Sequence, residues 1–233
     1  MYAVKTDPKP APSEEDDHVL FSGMEWKDFE VMLAVRGEAA GVRMYYLDGV
    51  IELMSPSNIH EYRKTTLARL LEHWAIETRT NLNGFGSWTL RGMPKEAGAE
   101  PDECYVLGDP AGREKPDLVI EVDWSHKGLP KHEIYRRLEI PELWTLQRNG
   151  KLVLRVLSRG AADRRGARAS AEPRYVESEK SKLLPKLDVA WLTSFLQIEP
   201  QNAAIHALRE ALSGRVGDPS SKGSKGRPRK RAR

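Results

Sequence analysis

Two carboxylates are the residues of this chain best suited to chemistry. Asp102 follows Pro101 at the entry of an apolar run that ends at Leu107. Glu121 comes directly after Leu118-Val119-Ile120, near the end of a second run. Both runs have strand length, and the second is apolar enough to be buried on both faces. A carboxylate beside such a strand is costly to desolvate unless a cation meets it. If the two strands pair, Asp102 and Glu121 would converge on one divalent ion, because Mg²⁺ takes a few carboxylates and keeps several waters. The same spacing suits a plainer arrangement, in which Asp102 and Asp117 serve turns and Glu121 pairs with a basic side chain.

The elements that must hold these acids are legible around them. A helix is expected from an N-cap at Ser22, with Trp26, Phe29, Leu33 and Val35 as its apolar stripe and Gly37 as its stop. Met44–Leu47 and Val50–Met54 flank Asp48-Gly49, a hairpin signal. Alternation puts Glu52 on the face opposite Ile51 and Leu53, toward solvent. Asn58 and Glu61 form a capping-box pattern for a long helix that carries Ile59, Tyr62, Leu67, Leu70, Leu71 and Trp74, with His60 in its first turn. A turn is expected over 81–86, a strand over 87–91 and a loop over 93–100. Beyond Trp124, Pro130 opens a short helix with Lys131, Ile134, Tyr135 and Leu138. A second hairpin, 143–147 with 152–157, turns at Asn149-Gly150. Residues 160–173 read as an exposed loop, 175–177 as a strand, 182–196 as a strand and short helix, and 202–212 as a last helix. From Ile59 the order is helix, three strands, helix, strand, an α/β layer whose sheet need not be all parallel.

Composition narrows the function classes. The chain has 233 residues, 30% charged and 39% hydrophobic, enough for one medium domain with appendages. We read 1–18 as a disordered segment, 19–198 as the domain, 199–213 as a terminal helix and 214–233 as a basic disordered tail. No apolar run approaches the roughly 20 residues of a membrane span, and the N-terminal stretch lacks the apolar core of a secretory signal, so a cytoplasmic protein is expected. A single cysteine, Cys104, excludes an internal disulfide and a Cys-rich zinc site. The total charge of +3 hides an asymmetry: the last twelve residues, KGSKGRPRKRAR, carry +7, which leaves −4 on the rest. Such a tail suits either sequence-independent contact with nucleic-acid backbones or simple solubility. There is no G-x-S-x-G, P-loop or dinucleotide glycine fingerprint.

Five pieces of the chain, in order, resemble one family: YLDGVIELMSPS followed by His60, EPDECYV, KPDLVIEV, Lys131 with Tyr135 four residues on, and IPELW. Together they are similar to the Uma-two family of restriction-endonuclease-like proteins, within the PD-(D/E)XK nuclease superfamily, over about 26–196. The resemblance implies an αβββαβ core with a mixed central sheet flanked by helices, preceded by a helix and β-hairpin. It implies a metal-dependent endonuclease acting on DNA, with Mg²⁺ or Mn²⁺ held by Asp102, Glu121 and the carbonyl of Val122. The superfamily places its lysine two residues after the second acid, where this chain has Asp123. The resemblance points instead to Lys131, with Lys127 as the alternative. Glu52 and His60 match positions beside the site, Asp117 matches a strand-entry acid, and a homodimer is plausible by the same likeness. Asp123 at the lysine position also suits a nuclease fold that binds DNA without cutting it. Trp124, Trp144, Arg136 and Arg137 lie near the acids in sequence, where core packing and a solvated helix face are their commoner uses.

Overall fold

A computed structural model describes residues 15–37, 41–124, 128–159 and 172–216. Its strands form two sheets. The smaller contains β1 (Asp17–Ser22), β2 (Arg43–Leu47), β3 (Val50–Ser55), β5 (Leu90–Gly92) and β6 (Ala97–Ala99), in the order β1-β3-β2-β6-β5. The larger runs β11 (Arg174–Ser178), β10 (Leu152–Ser158), β9 (Glu142–Gln147), β8 (Leu118–Asp123), β7 (Glu103–Leu107), β4 (Leu82–Gly84). Helices α1 (Trp26–Arg36), α2 (Asn58–Glu77), α3 (Lys131–Arg137), α4 (Val189–Ser194) and α5 (Gln201–Val216) cover them.

The expected core order is present as α2-β4-β7-β8-α3-β9. β7 runs antiparallel to β8, and α3 is the crossover that makes β8 and β9 parallel. The first core strand is not the one expected. Residues 82–84, read as a turn, pair with β7, whereas β5 joins the small sheet. Asn83 Nδ2 donates to the carbonyls of Val106 and Gly108 at 3.3 and 2.8 Å, and the Tyr105 ring would lie 3.2 Å from a Cβ at Gly84. A glycine that lets a ring cross a strand looks like a turn in sequence. The expected loop 93–100 likewise contains β6. A Cβ at Gly98 would meet the Phe29 ring at 2.5 Å, so small residues here admit α1 onto the sheet. No strand forms over 182–188.

The caps also differ from expectation. Asp17 and His18, assigned to a disordered end, belong to β1, and α1 is capped by Glu25 with Asp28 rather than by Ser22. Ser57, not Asn58, caps α2, its side chain accepting from the His60 amide. The Asp48-Gly49 hairpin forms as expected, with φ of 45° and 80°.

Strand alternation then assigns the two faces of the large sheet. Tyr105, Leu118, Ile120, Val122 and Trp144 pack under α2, α4 and α5. Cys104, Val119 and Leu143 face the other way, against α3 and the small sheet through Tyr45, Ala97, Ala99, Ile134 and Tyr135. Burial of a Leu or Phe is worth about 1.5–3 kcal/mol each, so these layers fix which side of β8 Glu121 must occupy. It lies on the Val119 face, between the sheets.

Candidate active site

The β7·β8 register opposes Glu103 to Ile120. Continued by one residue, it sets Asp102 opposite Glu121, and opposed side chains leave a sheet on the same face. Each acid is 1% exposed.

Asp102 is held by a chain of polar groups. Its Oδ2 accepts the Val122 amide at 2.8 Å and lies 3.0 Å from His60 Nε2. That close ion pair is not aligned as a hydrogen bond, and both His60 Nε2 and Asp102 Oδ1 are buried without a hydrogen-bond partner. Arg43 Nε stands 3.4 Å from Oδ1. On the far side of the imidazole, His60 Nδ1 is 2.9 Å from Asp16 Oδ2, while Asp16 Oδ1 accepts the Ser57 amide at 2.8 Å. Burial alone would raise the Asp102 carboxyl, but His60 foremost, then Lys131 and Arg43, hold it well below the usual carboxylate range. Burial alone would lower His60, yet Asp102 and Asp16 raise it to about 9.

Glu121 stands in a different environment. Lys131 Nζ donates to its Oε2 at 2.7 Å, the Tyr135 hydroxyl donates to Oε1, and the Tyr45 hydroxyl lies 3.4 Å from Oε2. Lys131 and Tyr135 are one helical turn apart on α3, so both reach β8 from one face. The ammonium also sits 4.3 Å from the centroid of the Tyr45 ring. Burial and the neighbouring Asp102 raise the Glu121 carboxyl despite Lys131 and Tyr135, while Lys131 is kept protonated because Glu121 outweighs its burial. Glu121 and Lys131 line a cleft of about 280 Å³ that Asp16, His18, Trp124, His132 and Arg155, among others, also wall. Asp102 lies behind Glu121, outside that lining.

The remaining expected residues fall into place around the two acids. Glu52, expected on the wet face, is fully buried. It lies opposite Tyr45 in the β2·β3 register; His18 Nδ1 is 2.6 Å from one oxygen and the Leu129 amide donates to the other at 2.7 Å. Glu52 therefore braces the turn before α3 and adjoins the acids through Tyr45. A Cβ at Gly128, where φ is +95°, would come 2.2 Å from its Oε1. Lys127 lies outside the described residues, as does most of the expected exposed loop. Asp117 is structural, accepting the Leu107 amide at 2.9 Å and pairing with Arg113. Trp144 is core, and Arg136 and Arg137 bind Glu133, with Arg137 also on Asp48. Trp124 walls the cleft, with Arg148 5.7 Å from its ring centroid.

Sequence reasoning missed Asp16, His18, Arg43 and Tyr45. The hairpin alternation that placed Glu52 also placed Tyr45 across from it, a usable signal. Nothing in the polar run before β1 marked Asp16. Among the described residues no three His, Cys, Asp or Glu side chains group as a metal-binding cluster, and no helix is long and apolar enough to cross a membrane.

A crystal structure of a putative nuclease belonging to DUF820 from Anabaena variabilis is similar to this chain with a TM-score of 0.40 and 13% identity, over 66% of this chain and 90% of that one. No curated protein matches. The family model Uma2, described as "Putative restriction endonuclease", matches residues 26–191. That span takes in both acids, Lys131 and the strands and helix that hold them, and the chain belongs to the Uma2 family.

Proposed function

We propose that this protein is a metal-dependent endonuclease that hydrolyses phosphodiester bonds in DNA. One observation carries the reading: Asp102 and Glu121 oppose each other on adjacent strands, with Lys131 Nζ 2.7 Å from Glu121 at a cleft.

The donor set fits Mg²⁺ or Mn²⁺. Two hard carboxylates, one with a buried oxygen lacking a hydrogen-bond partner, suit an ion that completes its shell with water. Asp102, Glu121 and the Val122 carbonyl would hold it. Such an ion supplies Lewis-acid polarisation of the phosphate and a more acidic water. The chain's own residues do the rest. His60 and Arg43 keep Asp102 ionised and fixed. Tyr135 and Tyr45 orient Glu121. Lys131, protonated and anchored from α3 rather than from β8, is placed to hold the attacking water and to offset charge on the phosphate oxygens. Lys131 thus takes the place that Asp123 leaves without a lysine. Arg155 on the cleft wall gives the DNA backbone a cationic contact.

The test is Mn²⁺ calorimetry on the full chain, followed by plasmid cleavage. Wild type should bind and cut, Asp102→Ala with Glu121→Ala should do neither, and Lys131→Ala should bind but cut slowly. A second reading, DNA binding without cleavage, is favoured by one feature: each acid already has a cation, so the pair is compensated without metal. Salt-sensitive DNA binding by a protein that takes up no Mn²⁺ would select it.

A further inference from the structure

We infer that strand β1 is a working part of the site, with Asp16 and His18 as positioning residues. The inference rests on the proposed nuclease reading. It concerns residues before position 26, which the family match does not reach.

The geometry is specific. Asp16 and His18 lie two apart at the entry of β1, and each meets a different buried partner of the site. Asp16 spans Ser57 and His60, holding the imidazole Nδ1 at 2.9 Å while Nε2 stands 3.0 Å from Asp102. A carboxylate on the outer nitrogen fixes the ring orientation and donor pattern presented to the inner one, as outer-shell partners do for metal ligands. His18 reaches the other branch. It pairs with Glu52, whose second oxygen accepts the Leu129 amide two residues before Lys131. One strand therefore braces both the Asp102 side and the turn that launches the lysine. The β1·β3 register, which opposes His18 to Met54 and Leu20 to Glu52, fixes both contacts at once. Asp16 is itself only 5% exposed, and His60 and Ser57 lower its carboxyl against the opposing effect of burial.

A purely structural role is the competitor, because Asp16 also satisfies a backbone amide at the α2 N-terminus. The two roles separate in a double-mutant cycle. Mn²⁺ affinity is measured by calorimetry on the full chain of wild type, Asp16→Ala, Asp16→Asn, His60→Ala and Asp16→Ala with His60→Ala, with Tm and cleavage kcat and KM alongside. A positioning role predicts that Asp16→Ala weakens Mn²⁺ binding and lowers kcat about tenfold, with KM little changed. It predicts that the same change adds under about twofold once His60 is gone. Asp16→Asn, which keeps an acceptor oxygen for His60, should recover most of the loss. Losses that multiply independently, or a lowered Tm with unchanged Mn²⁺ affinity and kcat, would overturn the inference. Asp102→Asn serves as the control. If it binds Mn²⁺ and cuts like wild type, the nuclease reading fails and the inference with it. If it loses both while Asp16→Ala keeps both, only the inference fails.

Discussion

Glu121 and Glu142 are buried glutamates on adjacent parallel strands, and their surroundings differ in kind. Glu142, at the start of β9, accepts from Ser181 Oγ at 2.7 Å, Trp144 Nε1 at 3.0 Å, the Leu183 amide at 3.2 Å and the Lys182 amide. These four donors are neutral, come from two segments and close over it. Glu121 instead faces a lysine, two tyrosines and a second acid, and it opens on a cleft. A carboxylate used to tie segments together is saturated with donors and walled in. Glu121 is set beside a like charge, and the cations that offset it, Lys131 for Glu121 and His60 for Asp102, stand in the same cluster. Burial alone therefore does not separate these two acids; their partners do.

The largest break in this comparison should come from Asp102→Ala, which removes the like charge opposite Glu121. We expect Mn²⁺ binding and plasmid cleavage both to fall below detection, read by calorimetry and gel assay. Lys131→Ala should leave Mn²⁺ binding intact and lower kcat by about 10²–10³-fold, the usual loss for one electrostatic stabiliser. Equal Mn²⁺ and kcat losses would show that Lys131 only holds Glu121 in place. Glu142→Ala should behave oppositely, lowering stability by about 3 kcal/mol in urea unfolding, because several buried donors lose their partner, while Mn²⁺ affinity per folded molecule stays at the wild-type value. Gly128→Ala forces a side chain against Glu52 at a left-handed φ and should cost about 1–3 kcal/mol, with a matching loss of kcat if the turn sets Lys131.

The smallest effect concerns α3 itself. Glu133 binds Arg136 through two contacts of 2.7 Å and Arg137 at 2.9 Å. The Arg136 hydrogen bonds foremost lower its carboxyl to about 2. A folded value below the unfolded one of 4.5 contributes stability that is present above pH 4.5 and is lost as pH falls through about 2. Glu133→Gln should therefore lower stability by about 0.5 kcal/mol at pH 7, and the gap from wild type should close in acid unfolding below pH 3.

Much of this was written locally. The Asp48-Gly49 turn, the α2 stripe and the apolar 118–120 run depend on neighbours a few residues apart, so the sequence alone determined them. It left the pairing of Asp102 with Glu121 open beside a plainer arrangement, and the β7·β8 register decides it. β4 and β6 were not legible because Gly84 and Gly98 owe their strand positions to rings from distant segments, Tyr105 and Phe29. Glu52 was read as wet because alternation gives the face a residue takes but not what covers that face. Here β1, and the turn through Leu129, cover it.

The sequence by itself supplied the charged candidates: two acids, one at each of two apolar strands, and Lys131 or Lys127 after the second. Only the tertiary structure decided their partners. A buried carboxylate takes whatever donor packing brings within about 3 Å. That choice was made by contacts 44 residues apart for Asp16 with His60 and 34 for His18 with Glu52. No local pattern encodes a distance of that kind, and the polar stretch that supplies Asp16 reads in sequence as a loose end.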